Sequence, residues 1–249
     1  MKKILKPNSL SEDPLSEVSN FHARGDAIIQ KIDDTLPETT EAPEHPADLS
    51  QKSYERFEKL DLEVRTNSIS HLTEFRYSER NLSGTFGKIE IENLLAAFMG
   101  SKHPVRRPYP SAGAQYPCNI YFIIKRSEDY NPGVYYLDLF EGKLVQIFAM
   151  APHQFSSIGI YEESKFNAAA YLIVTGQLFR STNKYGVRGY RYCLLEGGIV
   201  TWQANLVLEE IGKRSVWIGG FDDKALANSI GIRPEIEKEY PLIALGIGN

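Results

Sequence analysis

Cysteine, histidine, methionine and tryptophan are all scarce in this chain of 249 residues, at two, five, three and two copies. Cys118 and Cys193 lie far apart, with no CxxC pair and no disulfide framework, which suits a reducing compartment and two small buried side chains. The histidines (His22, His45, His71, His103 and His153) have no metal-ligand spacing, and HExxH is missing, so a zinc or iron site is unsupported. No GxGxxG follows a strand and no GxxxxGK[ST] occurs, which excludes the common nucleotide loops. A GxSxG elbow is also lacking. Neither sign of charge dominates: 28 Lys+Arg stand against 32 Asp+Glu, a net −4, which argues against a general nucleic-acid binder. The longest apolar run, around Ala168 to Val174, falls far short of the roughly 20 residues of a membrane span. The start, MKKILKPNSL, has no apolar h-region. A soluble, cytoplasmic protein with no membrane or nucleic-acid partner is expected.

What the chain does contain changes character about a quarter of the way along. Residues 36–53, LPETTEAPEHPADLSQKS, hold three prolines, many acids and no apolar period. Such a segment buries too little surface to offset backbone ordering and reads as a linker. Residues 1–65 are therefore expected to form an N-terminal arm or docking element, and 66–249 one domain. Within the domain, Ile89, Ile91, Leu94, Leu95 and Phe98 share a helical face that stops at Gly100. CNIYFIIK and AAAYLIVTG read as buried strands; VYYLDL, KLVQIF, SVWIGGF and PLIALGIG read as further strands. A long helix is expected from Gly189 to Gly212, with Leu194, Leu195, Ile199, Trp202, Leu206 and Ile211 on or near one stripe, and a short one at DKALANSIG. Strands and helices mix without strict βαβ alternation, so the fold class is α+β.

Four segments stand out chemically. In RYSER, extended backbone would put Arg76, Ser78 and Arg80 on one side, where two guanidiniums and a hydroxyl suit a phosphate; a solvated strand edge would look the same. PYPSAGAQYP is stiffened by prolines, while Ser111, Ala112, Gly113 and Ala114 are small enough to let a flat ligand approach the backbone; an ordinary surface loop is the plainer reading. The paired glycines of WIGGF, Gly219 and Gly220, either expose backbone N–H groups to a ligand or serve a turn that needs positive φ. In NKYGVRGYRYCLLEGG, Lys184 and Tyr185 adjoin Gly186 and precede Arg188, Tyr190 and Arg191. Either side chain could serve as a base if its surroundings depressed its pKa, or the run could simply be a helix entry.

In order, RRPYPSAGAQYP, KYGVRGYRYCLLEGG with TWQANLVLEEIG, and VWIGGFDDKALANSIGI resemble the nitroreductase-like flavoproteins. More narrowly they resemble the dehydrogenases that oxidise azolines to thiazoles and oxazoles in ribosomal peptide natural products. FHARGD in the arm is similar to the N-terminal region of dehydrogenase subunits of microcin-type azole synthetases. The resemblance implies a mainly antiparallel central sheet flanked by helices, working as an intertwined homodimer with FMN at the subunit interface. It implies that Arg76, Ser78 and Arg80 hold the phosphate and ribitol, that Pro110, Ser111, Ala112, Gly113 and Ala114 line the isoalloxazine from the other subunit, and that Gly219 and Gly220 face its reactive nitrogen. Many simple nitroreductases have Asn at the position of Ala114 and a basic pair near the C-terminus. GIGN carries no such pair, which shifts the expected phosphate contacts to Arg76 and Arg80, or to Arg188 and Arg191.

The resemblance assigns the base role to Lys184 and Tyr185. Tyrosine could take the proton with lysine lowering its pKa, or a neutral lysine could take it directly. Oxygen would reoxidise the flavin and yield hydrogen peroxide. The implied partners are a YcaO-type cyclodehydratase, its leader-peptide-binding partner and a precursor peptide already cyclised at Cys, Ser or Thr. Two other functions remain open on the same residues: a general NAD(P)H-dependent nitroreductase or quinone reductase, and a flavin-bearing structural subunit of the synthetase.

Overall fold

CNIYFII and AYLIVTGQ carry apolar side chains on both alternating faces, so each strand needs cover above and below. The computed structural model, which describes Glu63 and residues 65–74, 76–99 and 106–249, shows how that cover is supplied. Apart from Glu63 and Arg65, the arm lies outside the described residues, as does Gly100. The strands are β1 (Cys118–Ile124), β2 (Gly133–Asp138), β3 (Lys143–Ala149), β4 (Ala170–Gln177), β5 (Arg214–Ile218) and β6 (Glu239–Gly248). They form one sheet in the order β3-β2-β1-β4-β6-β5, with every neighbouring pair antiparallel. The expected α+β class and antiparallel sheet are both present.

β1 is buried along its whole length. Its even-numbered side chains, Cys118, Ile120, Phe122 and Ile124, join Leu172 and Val174 of β4 under two helices, α1 (Lys88–Met99) and the helix of Arg188–Glu210. α1 contributes Ile91, Leu94 and Phe98, whereas Ile89 of the same expected face is exposed. Tyr121 and Ile123 point to the opposite face, where Tyr171, Ile173 and Val216 meet Phe155, Ile158 and Leu226. Each wholly buried side chain of this size contributes about 1.5–3 kcal/mol, so the central strands anchor the fold. The two cysteines meet here: Cys118 Sγ lies 3.8 Å from the Cys193 carbonyl oxygen, and both thiols are buried and unbridged.

After β4 the chain turns directly into α2 (Leu178–Tyr185), a helix that the residue pattern did not announce. Gly186, at φ 57°, ends it with its N–H on the Thr182 carbonyl, a left-handed stop that suits glycine. The chain then enters α3 (Arg188–Glu210), about 34 Å long at 1.5 Å per residue. Most of its expected apolar stripe faces away from the core, although Ile211 packs against it. Cys193, Gly197, Val200, Ala204 and Leu208 pack on the sheet, while Leu194, Leu195 and Trp202 are 43%, 58% and 39% exposed. Small side chains let the helix approach a sheet that already fills the interlayer space with its own large ones; the bulkier stripe is left outside. Among the described residues, no helix is long and apolar enough to cross a membrane.

Candidate active site

RYSER is extended, and the Glu79 N–H bonds to the Ser215 carbonyl, so the segment runs beside β5. That contact carries Ser78 and Arg80 into a cleft of about 920 Å³, whose floor is Val216, Trp217, Ile218, Gly219 and Gly220. Arg76 is half-buried and does not line the cleft. Thus two of the three expected RxSxR side chains meet both expected glycines in one concave surface.

The opposite wall of the cleft is Tyr161, Glu162, Lys165 and Phe166. A buried network fixes this wall: Glu163 pairs with Lys125 at the end of β1 and accepts a 2.9 Å hydrogen bond from the Tyr171 hydroxyl. Arg126 clamps the next turn through the side chain and carbonyl of Asn167. Lys165, ion-paired to Glu162, adds a cation near Arg80 that the residue pattern did not single out. ESKFN has no motif, and only the folding of residues 161–166 over β5 brings it there.

Gly219 and Gly220 do not adopt positive φ, so the tight-turn reading of WIGGF falls away. A methyl group at Gly219 would meet nothing within 4 Å, and one at Gly220 only the Tyr161 ring at 3.6 Å. Neither backbone geometry nor packing requires glycine here. What the missing side chains leave is an open cradle at the end of β5, beside the Arg80 guanidinium, the Ser78 hydroxyl and the Lys165–Glu162 ion pair. That cradle and donor set fit a flat, anionic cofactor such as FMN.

A second cluster forms around Pro110–Ala114. Arg180 Nη1 donates to the Tyr116 carbonyl at 3.0 Å, the Tyr116 N–H donates to Ser111 Oγ at 2.8 Å, and Arg107 lies 5.0 Å from the Tyr116 ring centroid. These contacts hold the loop in an unusual backbone, with Gly113, Ala114 and Tyr116 at φ 59°, 55° and 44°. For Ala114 and Tyr116 that conformation costs on the order of 1–3 kcal/mol each, which the surrounding bonds must offset.

The strained turn lies against the end of α2. Lys184 Nζ is 3.4 Å from the Gly113 carbonyl oxygen. A methyl group at Gly113 would fall 2.6 Å from Lys184 Nζ and closer still to the Tyr185 hydroxyl. The Tyr185 ring rests edge-on against Tyr192 of α3, with centroids 5.0 Å apart. Lys184 and Tyr185, adjacent in the chain, therefore converge on the one residue whose lack of a side chain leaves them room. Arg188 and Arg191 are exposed on α3; Arg191 sits beside the outward Leu194 and Leu195. The cleft lining includes none of Pro110 to Ala114, Lys184, Tyr185, Arg188 or Arg191. The expected site residues thus fall in two separate clusters.

Residues 75–249 match the family model described as the Nitroreductase family. The chain is 29% identical over 156 residues to the nitroreductase-type protein MJ1384 of Methanocaldococcus jannaschii, covering 62% of this chain and 76% of that one. It is 26% identical over 238 residues to the microcin B17-processing protein McbC of Escherichia coli, covering 88% and 85%. In three dimensions it resembles a chain of the E. coli microcin synthetase McbBCD complex with truncated pro-MccB17 bound, at TM-score 0.69 and 23% identity over 98% and 99% of the two chains. A nitroreductase-type structure from Anabaena variabilis gives TM-score 0.62 and 19% identity over 73% of this chain and 38% of that one. With the family match spanning most of the chain and every element of the sheet, this protein belongs to the nitroreductase family.

Proposed function

We propose that this protein is an FMN-dependent dehydrogenase that oxidises azoline rings to thiazoles or oxazoles in a ribosomally made precursor peptide. The observation that carries the reading is the convergence of Lys184 Nζ and Tyr185 Oη on Gly113 in a loop held under strain. Similarity to McbC over 88% of the chain supports the peptide substrate, and likeness to a chain of a synthetase complex supports a cyclodehydratase partner.

Aromatising an azoline removes a proton from one ring carbon and a hydride from its neighbour. FMN, when bound, supplies the hydride acceptor. Ser78 and Arg80 would hold its phosphate and ribitol, and Gly219 and Gly220 leave the floor open to its ring. The Lys184–Tyr185 pair takes the ring proton, and the rigid turn of Gly113 fixes where that pair stands relative to the substrate. Mass spectrometry of an azoline peptide incubated with the flavin-loaded protein tests the reading: each ring converted lowers the mass by two hydrogens. Rapid flavin reduction by NADPH with no mass change would instead make the protein a general nitroreductase.

Gly113→Ala offers a sharper check, because a methyl there collides with both groups of the pair. It is expected to keep the flavin and slow azole formation by about 10²-fold, the scale on which misplacement of about 1 Å acts. An unchanged rate would remove the loop from the mechanism.

A homodimer completes this reading. The exposed loop around Gly113 and the cleft of Ser78 and Arg80 are separate on one protomer, and the outward stripe of Leu194, Leu195 and Trp202 is a surface that a second copy would cover. Leu195→Asp is expected to convert a dimer to monomer in sedimentation and to release the flavin. A monomeric unaltered protein that retains FMN would refute the shared site.

A further inference from the structure

Arg180 lies one turn before Lys184 on the same side of α2 and takes no part in the chemistry proposed above. Residues 113–117 run back along this helix and meet it at three places. At its start, the Gln177 N–H donates to the Pro117 carbonyl at 2.8 Å. One turn on, Arg180 Nη1 donates to the Tyr116 carbonyl at 3.0 Å. At the last turn, Lys184 Nζ is 3.4 Å from the Gly113 carbonyl oxygen. The first contact is between backbones and the third belongs to the proposed base, so Arg180 is the side chain that ties the middle of the helix to the loop. Its partner is a strained residue. Tyr116 stands at φ 44°, held by its N–H on Ser111 Oγ at 2.8 Å, its hydroxyl on the Arg107 N–H at 3.1 Å and its carbonyl on Arg180. Backbone of this kind persists only while its surroundings hold it.

We propose that Arg180 is a positioning residue: its bond to the Tyr116 carbonyl keeps the loop in register with α2, and so holds Gly113 against Lys184 Nζ and Tyr185 Oη. This rests on the reading of that pair as the base. The helix itself does not need the bond. Leu178, Ser181 and Thr182 of α2 are buried, and the Leu178 N–H donates to the Lys238 carbonyl at 3.0 Å. The start of α3 approaches so closely that a methyl group at Gly189 would fall 2.6 Å from the Thr182 nitrogen. Loss of the guanidinium therefore leaves α2 in place and frees the loop. A charged donor makes the tie firm, because a hydrogen bond from an ionised group is stronger than one between neutral groups. A merely structural Arg180 would show itself in stability, whereas a positioning Arg180 shows itself in loop order and turnover number.

The test uses the full chain loaded with FMN and compares Arg180→Met, which keeps an unbranched stem without a donor, with Arg180→Lys, which keeps a charged donor. In Arg180→Met, amide hydrogen exchange at Ala114, Gln115 and Tyr116 is expected to quicken by about tenfold or more, with α2 and β1 amides unchanged. The turnover number for azole formation is expected to fall by about tenfold or more, with flavin retained and KM held within about twofold, because only the alignment is lost. Arg180→Lys is expected to stay within about threefold of the unaltered protein in both readouts, since an ammonium can also donate a single bond to the carbonyl. Unchanged loop exchange in Arg180→Met, an unchanged turnover number beside faster exchange, or equal losses in the two variants would each overturn the proposal. If Arg180→Met also loses α2 protection, Arg180→Gln, polar but neutral and shorter, takes its place in the same comparison. Faster loop exchange in a variant of a protein that makes no azole would leave the tie between α2 and the loop in place, and would reject the azoline reading together with the role of Arg180 in it.

Discussion

Lys184→Ala and Tyr185→Phe are each expected to retain bound flavin and to lose about 10²- to 10⁴-fold in azole formation, the range over which a positioned base acts. Flavin is retained because neither residue lines the cleft of Ser78, Arg80 and Gly219. Folding is retained because Lys184 is exposed and Tyr185 half-buried at the end of α2, where truncation opens no core cavity. The flavin absorbance of each purified variant and the mass of the peptide product are read on the same sample. Loss of absorbance in both variants would assign the pair a structural role, and undiminished azole formation would reject it as the base. A full loss in one variant with a mild loss in the other would identify which side chain takes the proton, a choice that adjacency in the chain leaves open.

Gly219→Val is expected to fold with an unchanged melting temperature and to lose FMN. The backbone at Gly219 is not in the left-handed region, and a Cβ there meets nothing within 4 Å, so the chain itself accommodates a side chain. The new methyls would instead take up space in the cleft that Gly219 lines. Fluorescence titration with FMN measures the effect: a weakening of about tenfold or more, about 1.4 kcal/mol or more of binding free energy, is the expected outcome. Undisturbed FMN binding would place the cofactor elsewhere. A fall in melting temperature would show that the cradle has a packing role, contrary to its open surroundings.

Several features of this site were legible in the residue string for physical reasons. Alternation in RYSER works as a signal because side chains in extended backbone repeat every second residue, and Ser78 and Arg80 do share a surface. Arg76 does not join them: it is half-buried, and its N–H bonds to the Thr73 carbonyl at the end of the short helix Ser68–Thr73, a contact that no periodicity encodes. Small residues at 111–114 signalled close approach, and the structure shows that approach coming from Lys184 and Tyr185. Lys165 and Glu196 gave no signal. One becomes a cleft residue through a turn pinned by Glu163 and Lys125, and the other is buried where α3 packs on the sheet.

The same division runs through the fold. Unbroken apolar runs in β1 and β4 demand cover on both faces, so their burial followed from composition, as did the α+β class from the lack of a βαβ rhythm, whereas the antiparallel sheet was implied only by the family resemblance. The chain by itself thus determined the strands, the long helix and the short polar segments that carry the chemistry. Tertiary structure decided which face of α3 meets the sheet, because the bulkier apolar stripe lies outside while smaller residues and the buried Glu196, Thr201 and Asn205 face inward, an outcome no periodicity of apolar residues predicts. It also decided that the two cysteines, 75 positions apart, pack together, and that the candidate site residues fall in two separate clusters. Those outcomes depend on contacts between residues distant in the chain, and local periodicity carries no information about them.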